Sequence, residues 1–182
     1  MNLKDYIRSI KDYPKKGILF RDITTLIKNE KAFAETINQI VEKSKKFEFD
    51  KIAAIESRGF VFASAVSYIL NKPFVMLRKK NKLPADVHSV DFELEYGTAT
   101  IEVHKDSINK DESILVIDDL IATGGTAEAA AKLVKISKGK VAAFIFVINL
   151  FDLGGYDNLL KKNYKVESLI EFPGHWLFIF TL

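Results

Sequence analysis

Two adjacent carboxylates, a glycine pair and two threonines fall in one short run, Asp118-Asp119-Leu120-Ile121-Ala122-Thr123-Gly124-Gly125-Thr126. Ahead of it, Ser113 to Ile117 is β-branched and apolar, as suits a strand buried on both faces. Behind it, Ala127 to Val134 is an alanine-rich helix former. Strand, glycine turn and helix N-terminus together aim free backbone N–H groups and the positive end of a helix dipole at one point. Gly124 and Gly125 permit close backbone approach, and the hydroxyls of Thr123 and Thr126 add donors. That chemistry suits a phosphate. No Lys follows the glycines, so the turn is not a Walker A loop. The strand ends in acids rather than in glycine, so it is not a dinucleotide turn either. Carboxylates beside an anion site repel the anion unless they hold something else, such as sugar hydroxyls or a divalent metal. A ribose 5-phosphate satisfies both halves of the motif.

Elements that could position this run can be read along the chain. Asn2 to Lys11 has Leu3, Ile7 and Ile10 at helical spacing, which predicts a short helix broken at Tyr13-Pro14-Lys15-Lys16-Gly17. Ile18 to Ile27 is apolar but interrupted by Arg21-Asp22. Asn29 caps an amphipathic helix that carries Phe33, Ile37, Ile40 and Val41. Lys51 to Ile55 predicts a strand, Glu56-Ser57-Arg58-Gly59 a second sharp strand-to-helix turn, Phe60 to Leu70 a helix and Phe74 to Leu77 a strand. From Arg78 to Asn109 the character changes. A basic stretch, Arg78 to Pro84, leads to Phe92–Tyr96 and Thr100–His104, which alternate strictly and meet at Gly97. That pattern predicts a half-exposed two-stranded ribbon leaving the sheet, a common place for a lid. Lys140 to Leu150 and Val166 to Phe172 are further strands around a short helix that opens at Gly154-Gly155, and Trp176 to Phe180 is a last apolar run. Alternating strands and helices imply parallel strands with right-handed crossovers.

Bulk composition bounds the function classes. At 182 residues, 48% hydrophobic and 28% charged, the chain has the size and balance of one ordinary globular domain. A net charge of +3 is too small to argue for nucleic acid. Cysteine is absent, which excludes disulfides and thiol chemistry. Three scattered histidines make a zinc site improbable, and no signal peptide or membrane-spanning segment is recognisable, so a cytoplasmic protein is expected. Only four of the 27 basic residues are Arg: Arg8, Arg21, Arg58 and Arg78. In a chain that otherwise uses Lys, those guanidiniums are candidates for planar, bidentate phosphate contacts.

The run Ile117 to Thr126 closely resembles the phosphoribosyl-pyrophosphate motif of the type I phosphoribosyltransferases, in the version carried by the adenine-specific branch. Four further stretches extend the resemblance over roughly Ile7 to Phe172, in family order. Pro14 to Leu26 resembles the entry segment, where the backbone near Phe20 and Arg21, with Leu120, would hold adenine. Glu56 to Phe60 resembles the pyrophosphate loop, with Ser57 and Arg58 on the leaving group. Leu77 to Pro84 resembles the basic hood segment, which would bring Arg78, Lys79 and Lys82 to the pyrophosphate. Leu94 to Thr98 resembles the catalytic flexible loop, with Glu95 in the position of the family's catalytic carboxylate; without that match Glu95 would pass for a surface residue. The chain departs from the family at Asn81, where Gly is common, and in its C-terminal stretch 173–182, which lacks a basic end.

The resemblance implies a doubly wound α/β fold, with a mainly parallel sheet of about five strands, helices on both faces, a small hood and a flexible two-stranded lid. One domain, 1–182, would take its hood from about 1–28 and its flexible loop from about 79–105. The implied reaction joins adenine to the ribose of phosphoribosyl pyrophosphate, giving AMP and pyrophosphate. Ala122, Thr123, Gly124, Gly125 and Thr126 would hold the 5-phosphate, and Glu95, Asp118 and Asp119 would be catalytic. Mg²⁺ is implied without direct protein ligands, carried by substrate, with Asp118 and Asp119 reaching it through water. A homodimer is implied, with no nucleic acid or membrane partner. Transferases for 6-oxopurines, xanthine or orotate are the nearer alternative, although the 6-oxopurine enzymes place an Asp where this chain has Ala122. A non-catalytic ligand sensor on the same fold is the farther one, but it would need a DNA-binding element of which no pattern is seen.

Overall fold

In the computed structural model, which describes residues 1–94 and 97–174, a 3-10 turn at Leu3–Tyr6 leads into strand β1 (Arg8–Lys11). The helix expected over Asn2 to Lys11 therefore does not form. Leu3 and Ile7 are buried, but Ile10 leaves the helical face to pair with Phe20 of β2 (Leu19–Asp22) in an antiparallel hairpin. A short helix α1 (Thr24–Ile27) follows, then α2 (Glu30–Ser44). Asn29 caps α2 as its sequence predicts, its side chain accepting from Ala32 N at 3.0 Å.

The hairpin is tied to α1 by one carboxylate. Asp22 Oδ2 lies 3.0 Å from Arg8 Nε and 2.5 Å from Arg8 Nη2, while Oδ1 accepts from Thr24 N at 2.9 Å. These bonds, the Arg8 contact foremost, pull the Asp22 carboxyl down to about 2. A depressed carboxyl stabilises the fold above its unfolded value of 3.8, and that stabilisation is lost as pH falls through about 2. Asp22→Asn should therefore lower the thermal midpoint at pH 7. The gap to wild type should close between about pH 4 and pH 2, as followed by circular dichroism melts. A gap that stays constant with pH would mean the ion pair is not the source.

The remaining strands are β3 (Lys51–Ile55), β4 (Phe74–Lys79), β5 (Val87–Leu94), β6 (Gly97–His104), β7 (Ser113–Ile121), β8 (Lys140–Leu150) and β9 (Val166–Phe172). They form one seven-stranded sheet in the order β5-β6-β4-β3-β7-β8-β9, with β4-β3-β7-β8-β9 parallel and β5 and β6 antiparallel. The expected count of about five is thus corrected to seven. The extra two are the ribbon, which joins the sheet through Arg78↔Glu102 and Lys79↔Ile101 and buries Val90, Ile101 and Val103 in the core. Parallel strands covered on both faces read as continuous apolar runs, and Phe144 to Ile148 is at most 1% exposed throughout. One face is covered by α2 and α3 (Arg58–Leu70), the other by α4 (Gly125–Ile136) and α5 (Gly155–Lys161). This is the doubly wound arrangement, in which ligands sit at the carboxyl ends of the strands. Among the described residues no helix is long and apolar enough to cross a membrane.

Candidate active site

At the carboxyl ends of β3 and β7 lies a cleft of about 410 Å³. Its walls are two strand-to-helix turns, Glu56 to Arg58 after β3 and the run Asp118 to Ala127 that ends β7 and begins α4. Of the residues expected to act, the cleft gathers Ser57, Arg58, Asp118, Asp119, Leu120, Ala122, Thr123, Gly124, Gly125 and Thr126.

Strand β7 does not stop at Ile117 but runs through both acids to Ile121, so the Asp118–Asp119 backbone is held in the sheet. Asp119 is 4% exposed and lies 3.0 Å from Arg58 Nε, although its Oδ2 is not aligned with an N–H and has no hydrogen-bond partner among the described residues. Asp118 Oδ1 accepts the N–H of Asp119 at 2.9 Å. Burial, and then the neighbouring charge of Asp119, raises the Asp118 carboxyl well above its ordinary value. Burial raises Asp119 too, opposed by the Arg58 guanidinium. Gly59 makes room for this pair, since a Cβ there would lie 2.6 Å from Asp118 Oδ1 and 3.1 Å from Ile117 O. An α-helix thereby begins directly against the acids.

The glycine turn leaves its helix uncapped by side chains. Gly124 takes the N-cap position with φ +90°, and no side chain hydrogen-bonds to the first N–H groups of α4. Ser57 likewise makes no side-chain cap at the start of α3, and the Glu56–Ser57 peptide is cis. Two helix N-termini with uncapped amides thus open on the same cleft, an arrangement built for an anion with two centres of charge. Gly125 also sits under the ribbon, because a Cβ there would lie 2.9 Å from Glu93 O.

The other expected residues do not line the cleft. Arg78 bonds Glu56 through Nε and Nη2, both at 3.3 Å, and Lys79 N donates to Glu56 Oε2 at 2.9 Å. Arg78 thus reaches the cleft only by way of Glu56, whose carboxyl that pairing lowers. The Lys79 and Lys82 side chains are exposed. Phe20 lies edge-on to Tyr13 with ring centroids 5.1 Å apart, and the Arg58 guanidinium carbon stands 5.6 Å from its centroid. Arg21 is 6% exposed, and its guanidinium turns away to Ser9 Oγ, to Pro173 O at 2.8 Å and to the Phe172 ring at 4.3 Å. Any contact of Arg21 with a base would therefore use its backbone. Glu95 lies outside the described residues, as do Tyr96 and the apolar run Trp176 to Phe180.

Two acids missed in the sequence brace the segment Arg78 to Asn81. Glu56 is one, and Glu102 is the other: 5% exposed, it accepts from Asn81 N at 3.0 Å and from Ser89 Oγ at 3.3 Å. Asn81 has φ +64°, which explains the departure noted there, because Asn is the side-chain-bearing residue that best tolerates a conformation otherwise given to Gly. Glu56 carried a positional signal, its place at a strand end before Ser57-Arg58-Gly59. Glu102 carried none, being one acid in an alternating strand.

A phosphoribosyl transferase domain model matches residues 22–176. The chain is 80% identical over 175 residues to an adenine phosphoribosyltransferase of Pelagibacter ubique, covering 96% of this chain and 100% of that protein. The crystal structure of the adenine phosphoribosyltransferase from Thermoanaerobacter pseudethanolicus superposes with a TM-score of 0.90 at 45% identity, over 93% of this chain and 98% of that one. The Saccharomyces cerevisiae enzyme, solved with an iminoaltritol bisphosphate and adenine, superposes with a TM-score of 0.84 at 33% identity, over 92% and 96%. With the acid pair, the uncapped glycine turn and the second strand-to-helix turn on one cleft, the chain belongs to the adenine phosphoribosyltransferases of the phosphoribosyl transferase family.

Proposed function

We infer that this protein transfers the 5-phosphoribosyl group of phosphoribosyl pyrophosphate to adenine, forming AMP and pyrophosphate in purine salvage. The observation that carries this is the cleft itself, where an acid pair, Asp119 buried and Asp118 half-buried, stands between two uncapped helix N-termini. The amides of Thr123 to Thr126 would hold the 5-phosphate, and Ser57 and Arg58 the pyrophosphate. As the bond from the sugar to pyrophosphate breaks, positive charge grows on the ring and negative charge on the leaving group. Asp118 and Asp119 would stabilise the first, and Arg58, joined by Arg78, Lys79 and Lys82 when the basic segment closes, the second. Adenine would lie against Phe20, the backbone of Arg21 and Leu120, and Glu95 would take the proton that its ring nitrogen loses.

The donor set fits a magnesium ion that arrives with its substrate. Among the described residues no three His, Cys, Asp or Glu side chains cluster to cage a metal, yet Asp119 Oδ2 is buried and, beyond its ion pair with Arg58, makes no hydrogen bond. Mg²⁺ commonly keeps several waters and binds through one or two carboxylates plus phosphate oxygens, which is the role this pair can fill. When bound, it would neutralise pyrophosphate charge.

The whole chain, 1–182, would act as one transferase domain, with its hood from about 1–28. The flexible segment would be about 79–105, and Val90, Ile101 and Val103 within it are packed in the core. A homodimer suits the exposed Val61, Tyr68 and Ile69 of α3 and Met76 of β4, apolar surface that a second copy would cover. A cytoplasmic enzyme with no nucleic-acid or membrane partner completes the proposal. Purified protein given adenine, phosphoribosyl pyrophosphate and Mg²⁺ should form AMP and pyrophosphate in equal amounts; AMP without stoichiometric pyrophosphate would overturn the reaction.

A further inference from the structure

The turn that precedes α4 leans on a distant piece of backbone. Gly154 takes φ +74° and Gly155 opens α5, where its N–H donates to Ala122 O at 2.9 Å. A Cβ on Gly155 would lie 2.3 Å from Ala122 O, 2.5 Å from Gly124 N and 2.7 Å from Thr123 C. All three are backbone atoms, so none can swing aside. The contact is mutual, because a Cβ on Gly124 would lie 3.1 Å from Gly155 Cα and 3.2 Å from Gly155 O. Two main chains meet here with no space for a side chain on either. Around them α5 is seated firmly, with Leu159 fully buried and Tyr156 Oη donating to Val166 O at 2.8 Å.

We propose that Gly155 is a positioning residue for the 5-phosphate: its bare α-carbon and its N–H set where the Ala122–Gly124 backbone lies, and hence where the amides of the turn point. This rests on the assignment of Ala122 to Thr126 to the 5-phosphate. Gly155 touches no substrate in this role and acts only through the turn. Its effect is confined to one end of the ligand, since neither Phe20 nor the acid pair is among the atoms nearest to it. A methyl group at 155 needs roughly 1 Å of movement in the turn to reach ordinary contact distance, and misplacements of that size cost about 10²-fold in well-organised sites.

The test compares Gly155→Ala with Gly154→Asn, which keeps a residue tolerant of positive φ at a position where an added Cβ meets nothing within 4 Å. Gly155→Ala should raise the KM for phosphoribosyl pyrophosphate by at least about tenfold and leave the adenine KM within about twofold. In calorimetry it should weaken AMP binding by a similar factor while adenosine binding holds. Gly154→Asn should change neither. Unaltered AMP affinity in a folded Gly155→Ala protein overturns the role. Equal loss of AMP and adenosine overturns it as well, as does the same phenotype in Gly154→Asn. If Gly155→Ala does not fold, Tyr156→Phe decides. It keeps the ring but loosens the seat of α5, and should raise the phosphoribosyl pyrophosphate KM about two- to threefold and not the adenine KM; no such split overturns the role. A wild-type protein that binds AMP no better than adenosine would instead remove the 5-phosphate assignment itself. Discrimination in wild type that survives intact in Gly155→Ala removes the role of Gly155 alone.

Discussion

Hypoxanthine and guanine should be poor substrates, at least about 10³ below adenine in catalytic efficiency. Adenine offers an amino donor at position 6 and an acceptor at N1, and hypoxanthine reverses both. The base is expected beside Phe20 and the backbone of Arg21, which would make its site a main-chain one. Among the described residues strand β2 pairs with β1 alone, so its other edge offers backbone N–H and C=O groups in a fixed order. The Arg21 guanidinium, which could have adapted to either base, is spent on Ser9, Pro173 and Phe172. Backbone polarity cannot be reversed by a rotamer change, and each unpaired buried group costs about 1–3 kcal/mol. Sites built on such hydrogen bonds discriminate by about 10⁴ or more. Ala122 supports the same choice, because it removes the carboxylate that 6-oxopurine enzymes resemble each other in carrying there. Initial rates with each purine at saturating phosphoribosyl pyrophosphate and Mg²⁺ are the measurement. Comparable use of hypoxanthine would leave only the broader transferase assignment.

Glu95→Gln should lower kcat by about 10²- to 10⁴-fold, the range of general acid–base contributions, with both KM values nearly unchanged. Glu95 follows directly on Leu94, which with Gly97 forms the last pair of the β5–β6 register. The neighbouring Glu93 carbonyl stands over Gly125, at the start of α4. Stopped-flow binding and steady-state turnover on the same preparation separate the two quantities. Near-wild-type turnover would return Glu95 to the protein surface.

Much of this site was legible because its signals are local. A strand, a turn and a helix in immediate succession announce themselves by period and by glycine, so β3, β8 and β9 have the bounds expected of them and Asn29 caps where its side chain suggests. The rest depends on partners far away in the chain. Ile10 fits a helix until Phe20 offers it a strand, and only the folded hairpin makes that offer. The alternation from Phe92 onward predicts a ribbon, yet nothing in it says that the first strand begins at Val87 or that two residue pairs fasten the ribbon to β4. The rarity of Arg marks Arg21 as a phosphate candidate, but its guanidinium bonds to Pro173 O, 152 residues away. The meeting of Gly155 with Ala122 is likewise invisible in sequence, since a glycine doublet at a helix start has an ordinary explanation in turn geometry.

The bond from Arg21 to Pro173 O spans 152 residues, and it has a consequence for the order in which the protein is made. At about 5–20 residues per second, synthesis separates the two partners by roughly 8–30 s. The acid pair and the glycine turn are both translated within that interval, as are β8 and the glycines that support the turn. A nascent chain can therefore complete the acid pair and the glycine turn while the β1–β2 hairpin still waits for the carbonyl that accepts from its buried guanidinium. The hairpin, made before the acid pair and the glycine turn, is finished after them.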